Sequence, residues 1–192
     1  MDGGVGLGLV GGLFCLLAVV VVGWAVVTYN RLVRQRNQVQ ASWAQIDVQL
    51  KRRYDLIPNL VETVKGYAAH ERGTLDAVVV ARNGAMTATQ ARIGERAVAE
   101  DMLSQALGRL FALAEAYPDL KANQNFAALQ GELANTEDKI AYARQFYNSA
   151  VQTLNTSVQS LPTNVIAGVG GFRVTEYFEA AGGERGPVQV RF

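Results

Sequence analysis

Few residues in this chain have the type and spacing to do chemistry. His70 is the only histidine, and a metal site would require it to be joined by well-spaced carboxylates. The flanking sequence has no helical zinc or di-iron spacing, so His70 is assigned a surface or capping role. Cys15 is the only cysteine and lies inside an apolar run, which removes both an intrachain disulfide and a thiol nucleophile outside the membrane. Glu62, Glu115, Glu132, Glu137 and Asp138 read as helix-surface carboxylates, with nothing to mark a general acid and base pair. Lys51-Arg52-Arg53 reads as a solvated face, and the Asn155-Thr156-Ser157 triplet is discounted as a glycosylation site because it falls within a helix. No catalytic, cofactor-binding or metal residue is assigned, no cofactor is expected, and the chain is read as a non-enzyme.

One polar cluster stands apart: Tyr54-Asp55 beside Pro58-Asn59. Pro58 lacks a backbone donor and crowds the carbonyl of Tyr54, which predicts that a helix kinks or breaks just before it. Asp55 and Asn59 are then expected to partner the freed backbone groups. A partner-binding notch at the kink is the functional alternative.

The elements that carry these residues begin with an apolar segment. Gly3 to Asn30 bears no charge, and the apolar run from Val5 to Val27 makes about 35 Å of helix against a hydrocarbon core of roughly 30 Å. A cleaved signal peptide is the rival reading, but there is no basic n-region and no small-x-small cleavage site. Arg31, Arg34 and Arg36 follow the span and no basic residue precedes it, so the positive-inside rule places residues 1–4 outside, 5–27 across the membrane and the following domain in the cytoplasm. Gly6-Leu7-Gly8-Leu9-Val10-Gly11 matches a dinucleotide fingerprint by letter only, with no strand before it. Gly4, Gly8 and Gly12 share one helix face, the spacing of a proposed transmembrane self-association surface. The formal net charge of +1 argues against nucleic acid as a partner.

Beyond the span, periodicity predicts an all-α fold: the membrane helix continues into an antiparallel bundle over residues 28–161, followed by a tail over 162–192. Val39, Trp43, Ile46, Leu50, Ile57 and Leu60 form one apolar stripe. Apolar spacing resumes through Val61, Val64, Ala68, Leu75 and Val78, and Asn83 to Gly94 reads as a connection. A further helix from about Glu95 to Ala116 is expected to face inward through Val98, Met102, Ala106, Leu110 and Leu113, ending at Tyr117-Pro118. Phe126, Leu129, Leu133, Thr136, Ile140, Ala143, Tyr147, Ala150, Leu154, Val158 and Leu161 alternate by threes and fours over about five heptads, a coiled-coil-like seam. In the tail, glycines break any helix. Phe172, Val174, Tyr177 and Phe178, with Val188, Val190 and Phe192, form either a disordered tail or two short strands that pair within or between subunits.

Several long strings resemble the bacterial LemA family: Tyr29 to Val33, Arg36 to Val39, Ala44 to Val61, Glu115 to Asn123, Tyr147-Asn148, and Phe172 with Tyr177-Phe178-Glu179. The resemblance implies a single-pass protein of the bacterial inner membrane with a cytoplasmic bundle of long helices and no defined active site. It also implies an interaction role, with the lipid bilayer as one partner. The preferred reading is a homo-oligomeric scaffold at the inner face, and the alternative is an adaptor or regulator of a membrane zinc protease of the HtpX kind.

Overall fold

The computed structural model describes residues 3–68 and 70–179, with side chains from residue 11 onward. The fold is all-α, as expected. Helix α1 spans Gly3–Lys65, α2 Arg72–Thr87, α3 Ile93–Ala114, α4 Pro118–Lys121, α5 Gln124–Gln159 and α6 Thr163–Val169, with a 3-10 turn at Ala88–Gln90. No strand occurs among the described residues. The connection predicted from Asn83 to Gly94 is shorter, because α2 continues through Gly84 to Thr87.

Two compact units share these helices. The first takes its described residues from Met1–Ala41 and Ser149–Thr175, the second from Ser42–Asn148 and Glu176–Phe192.

In the second unit, α1 and α5 run antiparallel: Tyr67 meets Asn123, Arg52 meets Glu132, and Trp43 meets Tyr147. Helix α3 runs with α1, since Asp47 contacts Arg96 and Arg53 contacts Ser104. Ile46, Leu50, Ile57, Leu60 and Val64 of α1 are fully buried, and Leu103, Leu110 and Val78 close over them from α3 and α2. Burying a side chain of this size contributes about 1.5–3 kcal/mol. Asn123 starts α5, its side chain accepting the Phe126 N–H at 3.0 Å.

Pro58 does not break α1. The carbonyl it leaves without an N–H is that of Tyr54, four residues back. Arg82 of α2 donates its Nε–H to that oxygen at 2.8 Å. The repair comes from a neighbouring helix and not from Asp55 or Asn59: Asp55 pairs with Lys51, and the Asn59 carbonyl accepts from Thr63. The helix ends instead at Lys65, before Gly66, so the predicted break at Tyr54–Asn59 is displaced to the glycine.

In the first unit, the exposed apolar residues of α1 include Leu13, Phe14, Leu16, Leu17 and Val19 to Val22. A short helix, α6, forms in the tail and includes Gly168, and it ends at Gly170 and Gly171, two of the glycines expected to break a helix there. The helix closes with Phe172 N–H on the Ala167 carbonyl at 2.9 Å and Gly171 N–H on Gly168 at 3.3 Å. That pattern requires a left-handed residue, and Gly171 supplies it with φ of 68°. Gly170 permits a close approach, since a Cβ there would lie 2.7 Å from the Phe172 ring and 3.1 Å from Tyr29.

The Pro58–Arg82 pairing sets a coupling experiment. Arg82→Met should destabilise the bundle by about 1–3 kcal/mol, the cost of an orphaned buried acceptor. In a Pro58→Ala background the restored N–H takes over, so the same substitution should cost clearly less. Denaturant midpoints of the four proteins measure this; strict additivity would show that Arg82 does not serve the proline gap.

Candidate functional site

The feature with the strongest electrostatics is a buried ion network in the second unit. Arg53 of α1 is 1% exposed. It donates to Glu137 of α5 at 2.7 and 3.0 Å, to Ser104 of α3 at 2.9 Å, and to Glu100 of α3 in a short charge-assisted contact. Ser104 in turn donates to Glu137 at 2.8 Å, and the Tyr54 hydroxyl donates to Glu100. Arg96 of α3, equally buried, pairs with Asp47 and stacks 5.1 Å from the Trp43 ring centroid. The Nε groups of Arg53 and Arg96 are buried without partners among the described residues.

Charges in this setting are held in fixed geometry. Removing two ions from water costs several kcal/mol each, and only good geometry with additional hydrogen bonds offsets it. Every carboxylate here already faces a guanidinium, a hydroxyl or both. The network's charged groups are thereby committed to one another across three helices. Burial, then the hydrogen bond to Glu100, holds the Tyr54 phenol well above the ordinary tyrosine range. Burial, with Glu176 nearby, pushes Tyr147 up to about 12.

The surface reading of Arg53 is overturned. Leu50 and Ile57 are separated by one three and one four, and residue 53 fills the place between them on the stripe. A charged residue on an apolar stripe was the available signal. The inward face of α3 is in part misplaced: Ala106 and Leu110 are buried as expected, but Arg96, Glu100, Leu103 and Leu107 are buried beside them, whereas Val98 and Met102 are exposed. Apolarity misplaces that face because two of its inward positions are charged.

The sequence-predicted site residues do not converge. Gly4, Gly8 and Gly12 lie on α1, and a Cβ on Gly12 would meet open space. Arg31 and Arg34 are exposed on the same helix, and Arg36 sits 5.2 Å from the Phe172 ring centroid. Tyr54 joins the ion network, whereas Asp55, Pro58 and Asn59 are exposed. Phe172, Val174, Tyr177 and Phe178 lie outside any helix and pair with no strand among the described residues. Side-chain amides of α5 take the place of a partner strand. Asn155 exchanges both bonds with Thr175 at 2.9 and 2.8 Å, and Asn148 does the same with Phe178 at 3.1 and 2.9 Å. Phe178 packs on Trp43 and beneath Arg144. Val188, Val190 and Phe192 lie outside the described residues.

Comparison with known proteins places these features in context. The sequence signature of the LemA family matches residues 42–192. Magnetosome protein MamQ 2 of Paramagnetospirillum magneticum is 27% identical over 188 residues, covering 85% of this chain and 69% of the relative. Magnetosome protein MamQ of Magnetospirillum gryphiswaldense is 27% identical over 78% of this chain and 64% of its own length. Protein LemA of Metamycoplasma hominis is 25% identical over 72% of this chain and 63% of its own length.

Two outcomes test the network. Arg53→Met should destabilise the bundle by about 3–5 kcal/mol by stranding Glu100, and adding Glu100→Leu should recover most of it. Equal losses in the single and double variants would contradict the assignment. A raised phenol pKa means that the folded state holds its proton more tightly. Its stabilisation is therefore complete below the ordinary value of 10.0 and lost as pH rises toward about 12. The unfolding midpoint should fall across that window, and Tyr147→Phe should flatten part of the fall; an unchanged pH profile would contradict the role of Tyr147.

Proposed function

The chain belongs to the LemA family, and on that premise we propose that it is a non-enzymatic scaffold that homo-oligomerises at the inner face of a bacterial membrane. It is a membrane-associated helical protein, and the observation that carries the reading is helix α1. Among the described residues, one helix is long and apolar enough to cross a membrane, and its apolar stretch is almost entirely exposed. Its apolar residues need a bilayer or another helix to cover them. In this reading Arg31, Arg34 and Arg36 hold the following segment on the cytoplasmic side. The buried ion network supports a structural role, because its charged groups are committed to one another.

Self-association in this reading runs through Gly4, Gly8 and Gly12, where a second span can approach closely. The full chain in mild detergent should sediment as a discrete oligomer, and Gly8→Leu should shift it toward smaller species. A monomer that co-purifies with a membrane zinc protease would overturn scaffolding in favour of the adaptor reading. Cysteine accessibility labelling on either side of the span checks the orientation; labelling of residues beyond Arg36 from outside would reverse it.

A further inference from the structure

The first unit contains a polar cavity of about 270 Å³ just past the apolar run. Its walls include Thr28, Arg31 and Gln35 of α1, Ser157 of α5, Ser160 just after it, and Thr163 of α6. Four helical threonines elsewhere, Thr63, Thr87, Thr136 and Thr153, commit their hydroxyls to the carbonyl four residues back. In the cavity, the hydroxyls of Thr28, Ser157, Ser160 and Thr163 have no hydrogen-bond partner among the described residues. Thr28 is only 8% exposed and lines the cavity. The Gln35 Oε1 is also buried without a partner. Arg31 makes no ion pair among the described residues, and no carboxylate lines the walls.

A cation surrounded by free hydroxyls is a donor set for an anion with several acceptor oxygens, and a guanidinium suits phosphate in particular. A second feature of the same unit points to the source of that anion. Leu161, before α6, and Val165 and Val169 of α6 are 79%, 60% and 88% exposed, while Ala167 of that helix is buried. Val165 and Val169 are one helical turn apart and present an apolar edge, as elements seated in a membrane interface do. Trp24, another wall of the cavity, has the amphipathic ring favoured at that depth.

We propose that this cavity binds the phosphodiester headgroup of a membrane phospholipid. Arg31 pairs with the phosphate oxygens, the hydroxyls of Thr28, Ser157, Ser160 and Thr163 donate to them, and the acyl chains follow the exposed surface of the span. The site rests on the membrane reading above and adds a lipid ligand to it.

Native mass spectrometry of the full chain tests the proposal after reconstitution in phosphatidylglycerol nanodiscs and return to detergent. The wild-type chain should retain one lipid. Arg31→Gln should lower retention about tenfold, the loss of one charge-assisted contact of about 1.4 kcal/mol. Ser160→Val, on the opposite wall, should lower it in the same direction, whereas Arg34→Gln should leave it unchanged. Circular dichroism identifies any variant that has lost its helices, and the other wall's variant then decides. Equal retention by all folded variants would overturn the site, and so would inorganic phosphate binding to Arg31 with no lipid retained. Fractionation of cells reads the membrane premise separately: the variants should remain with membranes, and a soluble wild-type chain would refute that premise and not the cavity chemistry.

Discussion

The second unit is organised around one guanidinium. Arg53 enters the core from α1 and is held by carboxylates of α3 and α5, so three helices meet at a single delocalised charge. A hydrophobic core tolerates a helix sliding by a turn when the apolar volumes still fit. A buried ion does not, because each displaced register strands a charge in low dielectric. The fork geometry of arginine makes this stricter, since its parallel donors match carboxylate oxygens only when the facing backbones are in place. Exposed pairs such as Lys51–Asp55 add little by comparison.

The same logic separates what was readable in the sequence from what was not. Most of the α5 seam was readable because its positions are apolar and buried, as Phe126, Leu133, Ile140, Ala143 and Leu154 are; its predicted last position fails, since α5 ends at Gln159 and Leu161 beyond it is exposed. The α3 face was not, because Arg96 and Glu100 occupy inward positions and a hydropathy pattern steers past charges. Their burial depends on Asp47 and Arg53, which lie more than forty residues away in the chain, and no local window contains both partners. Pro58 failed as a helix breaker for a related reason. The donor that replaces its missing N–H comes from Arg82, and only tertiary structure brings that side chain to Tyr54.

The extended tail follows a similar rule of substitution. Its apolar and β-branched residues suggested strands, and the backbone groups of Thr175 and Phe178 are indeed paired as a strand's would be. The partners are the amide heads of Asn155 and Asn148, each offering one donor and one acceptor to one residue. A helix can thus hold an extended segment without any sheet, provided that its asparagines are correctly placed. Phe172 and Phe178 add the apolar contacts that such sparse hydrogen bonding lacks.

The surroundings of the two tryptophans carry an optical consequence. The chain has only Trp24 and Trp43, one in each unit. Trp43 lies against Tyr147, Phe178 and the Arg96 guanidinium, so its emission would respond to separation of that cluster. Trp24 is 40% exposed beside the end of the apolar run, where a brominated lipid would quench it. Native fluorescence thus provides two separable channels, one for the state of the bundle and one for contact with the bilayer. No dye or label is needed to follow either.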